Sequence, residues 1–182
     1  GQKKRAIIVA SPNVQTNIRL QLFDPSKLKL EDGLWQLDSC TGDAYLREIN
    51  PMNLKGLSRS KVIQLVNKHV DANYVFFGYI EFANYIQRKS SLPEGATKAQ
   101  KNAVSLKLNK QFGGRLLIID EVHNIRISDD NQHKRTAVAV MNLVSAVRGM
   151  KLLLLSATPM YNSPTEIVWI LNLLNANDGR ST

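Results

Sequence analysis

The sequence predicts an α/β fold in which a parallel sheet is flanked by helices. Aliphatic runs typical of buried strands recur along the chain, at residues 6–10, 73–77, 116–119 and 151–155. Segments with helical periodicity separate these runs, as a strand–helix repeat requires. A polar or small residue directly follows each predicted strand: Ser11, Gly78, Asp120 and Ser156. Because parallel strands end along a common edge, these residues predict one ligand-binding edge.

The first third of the chain begins with a strand at residues 6–10 and a helix in which Val14, Ile18 and Leu22 recur at helical spacing. Residues 24–56 contain a high density of turn signals, such as Asp32-Gly33, which is typical of an insertion. A short strand at 34–37 is compatible with that segment. No function is evident there.

The second third predicts a helix capped by Ser58 or Ser60 that reaches Val70, a strand at 73–77 and a helix that starts with residues 78–85. Aromatic residues are dense here, and they are Phe76, Phe77, Tyr79, Phe82 and Tyr85. Aromatic side chains can stack on nucleobases. At strand and helix spacing they are more often part of a hydrophobic core, which is the interpretation favoured here.

A basic segment covers residues 88–115, where seven Lys and Arg residues accompany Glu94 as the single acidic residue. Within it, residues 97–112 predict a helix with Ala99, Ala103 and Leu106 on its inner side. The lysines of this helix are Lys98, Lys101, Lys107 and Lys110. They are either a solvated face or a source of sequence-independent phosphate contacts.

The last third predicts two helices around the strand at 151–155. The first covers residues 132–148 and ends before Gly149, and its buried stripe is predicted to be Ala137, Val140, Met141, Val144 and Val147. The second ends near residue 175, and its inward residues are predicted to be Ile167, Ile170, Leu171 and Leu174.

Composition narrows the functional classes. The 182 residues carry a formal net charge of +9, which favours a polyanionic partner such as nucleic acid. The single cysteine, Cys40, cannot form an internal disulfide, so a reducing compartment is expected. No apolar run approaches the roughly 18 residues that a membrane helix needs, so no membrane partner is expected.

Two carboxylates, Asp120 and Glu121, directly follow the aliphatic run at 116–119. This arrangement suits the chemistry of a P-loop nucleoside triphosphatase, in which one carboxylate holds Mg²⁺ and its neighbour orients the attacking water. The same pattern also fits a buried strand that runs into a solvated acidic turn. The second aliphatic strand, which ends in Ser156-Ala157-Thr158, favours the enzyme interpretation.

These motifs resemble those of a known family. Residues 120–123, Asp-Glu-Val-His, resemble the DExH form of helicase motif II, and Ser156-Ala157-Thr158 resembles motif III of superfamily 2 helicases. Residues 77–85, 120–126 and 156–162 are similar to the Swi/Snf-related helicases of large nucleocytoplasmic DNA viruses, which include the poxvirus early transcription factor ATPase subunit and nucleoside triphosphate phosphohydrolase I. The resemblance covers most of the chain outside 24–56.

The resemblance implies the first RecA-like lobe of a nucleic-acid-dependent ATPase that uses ATP and Mg²⁺. It implies that Asp120 binds Mg²⁺, that Glu121 activates water, and that His123, Ser156, Ala157 and Thr158 couple the nucleotide state to nucleic acid. Nucleic-acid contacts are expected at motif Ia and motif Ib, which correspond to Ser11, Pro12 and Asn13 and to Gly78 and Tyr79, and at the four lysines above. Asn13 is equally explained as a helix cap.

The resemblance also implies that the protein moves on DNA, which is favoured over RNA, during viral transcription. Partners would then include subunits of a viral RNA polymerase or of a transcription factor, in the cytoplasm or the virion. A non-viral protein of this type would be intracellular.

The sequence departs from the family pattern because it contains no G-x-x-x-x-G-K-[ST] phosphate loop. The family places that loop upstream of motif Ia, and the second lobe with its arginine finger downstream. The chain, which starts with Gly1, is therefore interpreted as a piece truncated at its N-terminal side. We predict that this piece alone has no measurable ATPase activity.

Two alternatives stay open at this point. One is a binding module with a degenerate RecA-like fold that does not hydrolyse ATP. The other is the motor subunit of a restriction enzyme, which shares the DExH and motif III patterns.

Overall fold

A computed structural model describes residues 4–39, 41–125, 131–159 and 164–182, with the backbone alone at 131–133 and 164. The strands are β1 (Ala6–Val9), β2 (Leu28–Glu31), β3 (Leu34–Leu37), β4 (Tyr74–Phe77), β5 (Leu116–Ile119) and β6 (Lys151–Leu154). The helices are α1 (Pro12–Leu22), α2 (Ala44–Ile49), α3 (Arg59–Asn73), α4 (Tyr79–Ser90), α5 (Lys98–Phe112), α6 (Asn131–Ala146) and α7 (Pro164–Asp178). They form two compact units, one of residues 1–11 with 76–182 and one of residues 12–75.

A four-stranded parallel sheet in the order β4-β1-β5-β6 organises the first unit, and it confirms the predicted α/β fold. In the register of the sheet, Leu117 of β5 lies between Ile7 of β1 and Leu152 of β6. Ile7 and Leu117 are fully buried, as expected for strands covered on both faces. The fold is that of a RecA-like domain.

Helix α6 contributes a wide apolar face to this core. The predicted residues Ala137, Val140, Val144 and Val147 are buried, and Ala139 and Leu143 are buried beside them. Met141 is only half-buried, so that part of the predicted stripe is wrong. Leu143 lies three positions after Val140 and four before Val147, so it shares their buried side of the chain, in the place assigned to Met141.

The predicted inner side of α5 is wrong. Ala99, Ala103 and Leu106 are exposed, and Leu106 has 72% of its surface accessible. Leu108 and Phe112, four residues apart, are buried instead. These side chains remove far more apolar area from water than two alanines would, and this larger burial sets the rotation of the helix.

The predicted inner side of α7 is also largely wrong. Ile167, Leu171 and Leu174 are exposed and Ile170 is half-buried. The buried residues are Trp169, Leu173 and Ala176. The helix carries apolar residues around most of its circumference, so periodicity alone does not select a face, and the large Trp169 ring is buried in preference.

The second unit has its own hydrophobic core, formed by Phe23, Leu28, Leu37, Leu46, Val62, Val66 and Val70. Strands β2 and β3 form an antiparallel hairpin whose turn residues, Asp32 and Gly33, both have positive φ. Ser58 caps α3, because its Oγ accepts a hydrogen bond from the Lys61 N–H. The interpretation of residues 24–56 as an insertion stays a prediction.

The predicted core role of the aromatic segment agrees with the packing of the first unit. Phe82 is fully buried. The ring of Phe77 lies 5.6 Å from that of Phe82 and 5.0 Å from that of Tyr85, measured between centroids. Aromatic pairs at such distances stabilise a core beyond the area that they bury.

We expect Leu117→Ala to lower the free energy of unfolding by about 2–5 kcal/mol, because it leaves a cavity in the centre of the sheet. The neighbouring Leu116 is 36% exposed and provides the matched control. Urea denaturation of both variants measures the difference. Equal losses at the two positions would contradict the burial of β5 described here.

Candidate functional site

The predicted functional loops of the first unit lie at one edge of the sheet. Gly78 directly follows β4 and Asp120 directly follows β5, whereas one residue separates Ser11 from β1 and Ser156 from β6. The backbone continues the sheet into these loops, since the Asp120 N–H donates to the Val9 carbonyl at 3.0 Å. The shared edge predicted from the sequence therefore exists.

The acidic turn after β5, residues 120–125, is held by several backbone hydrogen bonds. The Val122 N–H donates to the Leu155 carbonyl at 3.0 Å, and the Asn124 N–H donates to the Glu121 carbonyl at 2.8 Å. Residues 122–125 form a short 3₁₀ helix, in which Val122 and Ile125 are buried. These apolar anchors fix the turn to the body of the sheet.

Glu121 has a φ of 46°, in the left-handed region that residues with a Cβ rarely adopt. Such a conformation costs of order 1–3 kcal/mol and persists where the surroundings determine it. The hydrogen bonds and buried anchors of the acidic turn provide those surroundings. The backbone thus keeps Glu121 in a conformation that local sequence preferences disfavour.

His123 connects the acidic turn to the loop after β6. Its Nδ1 lies 3.0 Å from Ser156 Oγ, which makes a hydrogen bond between the two predicted motifs. The same Nδ1 lies 3.2 Å from Glu121 Oε2. That oxygen is buried and has no hydrogen-bond partner among the described residues, so we regard this approach as close but not bonded.

Ser156 Oγ also accepts a hydrogen bond from the Thr158 N–H at 3.2 Å. The side chain of Ser156 therefore joins His123 on one side to its own loop on the other. The side chains of Ala157 and Thr158 are exposed. Arg126 and residues 160–162, which also carry the family resemblance, lie outside the described residues.

Asp120 is half-buried, and its carboxylate makes no hydrogen bond or ion pair within the part of the chain that the structure describes. The buried Glu121 Oε2 is similarly without a bonded partner there. Two carboxylates with free oxygens fit Mg²⁺, which prefers oxygen ligands and is usually held by one or two carboxylates together with phosphates. The described residues contain no cluster of three or more metal-ligating side chains.

The predicted nucleic-acid contacts are distributed over both units. Gly78 precedes α4, and its N–H donates to Glu81 Oε2 at 3.3 Å. The hydroxyl of Tyr79 donates to the Asp120 carbonyl at 2.9 Å. Pro12 and Asn13 form the exposed first turn of α1 in the second unit. Their roles in nucleic-acid binding stay predictions.

The four predicted lysines of α5 are exposed, but they are not gathered at the candidate site. The carbonyl of Lys110 accepts a hydrogen bond from Lys4 Nζ at 2.7 Å, and Lys4 precedes β1. Lys110 therefore lies by the amino ends of the strands, opposite the edge with Asp120. Lys98 lies twelve residues away, about 18 Å along the helix axis.

If Lys98 and Lys101 contact phosphates, changing both to Glu should reduce the salt dependence of DNA binding by this chain. The slope of log K against log[salt] is expected to fall by about 1 to 2, because each phosphate contact contributes roughly 0.9. Fluorescence anisotropy of a labelled duplex between 50 and 200 mM salt, typical conditions for such titrations, measures the slope. The matched control changes Lys61 and Lys68, which are exposed on α3. An unchanged slope would show that the lysines of α5 are only solvated and do not contact phosphates.

Sequence reasoning missed the contact between Tyr79 and Asp120. A hydroxyl that reaches a backbone carbonyl 41 residues away leaves no periodic signal in the sequence. A cavity of about 260 Å³ lies wholly within the second unit beside Trp35 and Arg47. It includes none of the predicted site residues.

No protein-family model matches the chain. Curated relatives are found among large DNA viruses. The chain is 27% identical over 182 residues to a protein described as "Putative ATP-dependent RNA helicase" from Acanthamoeba polyphaga mimivirus, and the match covers 97% of this chain and 28% of that protein. It is 36% identical over 138 residues to a "Putative helicase" of Frog virus 3, with 76% of this chain and 13% of that protein covered.

A further relative is a "Putative helicase" of Invertebrate iridescent virus 3, at 27% identity over 60% of this chain and 10% of that protein. The chain thus spans less than a third of the length of each of these relatives. It is distantly related to proteins named as helicases in mimivirus and iridoviruses. None of the helices described is long and apolar enough to cross a membrane.

Proposed function

We propose that this chain is part of the first RecA-like lobe of a superfamily 2, nucleic-acid-dependent ATPase that couples ATP hydrolysis to movement on DNA. The observation that carries the proposal is the His123–Ser156 contact, which joins a turn with two available carboxylates to the next strand-end loop. The relation to proteins named as helicases supports the same class.

In this proposal Mg²⁺ neutralises charge on the triphosphate of ATP when both are bound. Asp120 holds the ion, and Glu121 orients and deprotonates the attacking water. The left-handed backbone of Glu121 sets the direction in which its side chain leaves the main chain. His123, in contact with Ser156 and close to Glu121, connects the hydrolytic turn to the loop that senses nucleic acid.

The rest of the ATP site belongs, in the same proposal, to other parts of a longer protein. A phosphate-binding loop lies upstream of β1, and a second lobe with an arginine finger lies downstream of α7. The proposal extends to viral transcription, with polymerase or transcription-factor subunits as partners, on the ground that the motifs resemble those of Swi/Snf-related viral helicases. The basic charge of the chain supports a nucleic-acid ligand.

The experiment that tests this function compares nucleic acids as activators of the full-length protein. Phosphate release is measured at saturating ATP and Mg²⁺ with duplex DNA, single-stranded DNA and RNA of equal length. We expect duplex DNA to give the largest stimulation. If only RNA stimulates hydrolysis, the nucleic-acid ligand is RNA and not DNA. If the protein binds nucleic acid but hydrolyses no ATP, the non-hydrolysing binding module is favoured.

A further inference from the structure

The hydroxyl of Tyr79 lies where several strand-end loops of the first unit meet. It donates a hydrogen bond to the Asp120 carbonyl at 2.9 Å. The backbone N–H of Ser11, which follows the strand β1, lies near this hydroxyl oxygen. The Asn124 Nδ2 group of the acidic turn approaches it at 3.5 Å, a weaker contact. Tyr79 itself is the first residue of α4, and only Gly78 separates it from β4.

This hydroxyl fixes the peptide group that precedes the most strained residue of the site. The Asp120 carbonyl belongs to the peptide bond between Asp120 and Glu121, and Glu121 has a φ of 46°. The Asp120 N–H is held by Val9 on the other side. Rotation of the bonded peptide would redirect both carboxylates, so the Tyr79 hydrogen bond bears directly on their orientation.

The chemistry of the phenol suits this arrangement. A carbonyl oxygen only accepts hydrogen bonds, so the hydroxyl must be the donor to Asp120 and can still accept from Ser11. An ordinary tyrosine hydroxyl has a pKa of about 10, so it carries its proton in the neutral range and can donate this bond.

We propose that Tyr79 is a positioning residue that transmits the state of the loops after β1 and β4 to the acidic turn after β5. Its hydroxyl holds the Asp120 carbonyl by a hydrogen bond and does not contact nucleic acid. This inference rests on the proposed function, in which those two loops touch nucleic acid and the acidic turn acts on ATP. The inference assigns the coupling between those two loops and the acidic turn to the Tyr79 side chain. The His123–Ser156 contact provides a second connection, from the acidic turn to the loop after β6.

The test is Tyr79→Phe in the full-length protein, which removes the hydroxyl and keeps the ring. Two quantities are measured: the ratio of DNA-stimulated to basal phosphate release, and the ratio of DNA dissociation constants with and without ATP and Mg²⁺ at equilibrium. Couplings of this kind change affinity about 5- to 150-fold. We expect Tyr79→Phe to bring each ratio closer to one, by a factor of about five or more.

The matched control is Tyr85→Phe. Tyr85 is also on α4, and its hydroxyl contacts Gln111 of α5, away from the strand-end loops. This variant loses the same atom and should keep both wild-type ratios. Melting temperatures of the two variants measure any loss of stability, which a merely structural hydroxyl would cause at either position.

The outcomes separate this inference from the proposed function. A wild-type protein without DNA-stimulated hydrolysis would overturn the proposed function. Coupling in the wild type that survives Tyr79→Phe would overturn the inference alone. A Tyr79→Phe variant whose basal rate, stimulated rate and melting temperature fall together, with unchanged ratios, would reduce the hydroxyl to a structural role and also overturn the inference.

Discussion

Replacing Glu121 with Gln in the full-length protein is expected to lower the turnover number for ATP by about 10²–10⁴, the usual scale of general-base catalysis. The amide keeps the shape of the side chain but cannot take a proton from water. Asp120 and the backbone of the acidic turn are unchanged, so the affinity for the nucleotide should stay nearly the same. Single-turnover phosphate release and equilibrium nucleotide binding measure the two quantities.

Glu94→Gln provides the control for this substitution, because Glu94 lies in the exposed loop between α4 and α5. Its turnover should equal that of the wild type. A loss of nucleotide affinity in Glu121→Gln as large as the loss of turnover would give Glu121 a binding role. A turnover above about a tenth of the wild-type value would remove it from the proton transfer.

The second large effect concerns the contact between His123 and Ser156. His123→Ala and Ser156→Ala should each weaken the DNA-stimulated rate more than the basal rate, because each removes one partner of the side-chain hydrogen bond between the acidic turn and the loop after β6. The double variant should lose no more than either single variant. Residues in direct contact show such non-additivity, of about 0.5–3 kcal/mol.

Thr158→Ala is the comparison within the same loop. Thr158 touches Ser156 through its backbone N–H, which the substitution preserves. If Ser156 only satisfies its own loop, Ser156→Ala and the double change of Ser156 and Thr158 should lower melting temperature, basal rate and stimulated rate together. That uniform fall would refute the coupling role, and so would strict additivity of the His123 and Ser156 effects.

The strands of the parallel sheet and their shared edge were predictable because their signals are local. The aliphatic run at 116–119 has too few polar residues for an exposed strand, and the acidic residues after it mark the strand end. The same reasoning located β1, β4 and β6 within one residue of their observed ends. The topological rule for parallel strands then placed their loops together.

The faces of α5 and α7 were not predictable from periodicity. In α5, alanine and leucine recur at helical spacing on one side, but the contacts of Leu108 and Phe112 decide which side is buried. In α7, apolar residues surround the helix. Which face is covered depends on tertiary packing, and tertiary packing overrides a local pattern when several faces are apolar.

The side-chain contacts and backbone conformation within the site were only partly predictable. The motif pattern indicated that His123 and Ser156 act together, and their side chains are 3.0 Å apart. The left-handed backbone of Glu121 could not be foreseen, because Glu has no preference for positive φ. The Tyr79 bond to Asp120 depends on the packing of α4 against the sheet, which the sequence does not encode as a local pattern.

One measurement tests the central claim most directly: phosphate release by the full-length protein at saturating ATP and Mg²⁺, with and without duplex DNA, for the wild type and for Asp120→Asn. The proposed function predicts hydrolysis that DNA stimulates in the wild type, and loss of that hydrolysis in Asp120→Asn while the protein still binds DNA. Hydrolysis that continues at the wild-type rate in Asp120→Asn would contradict it.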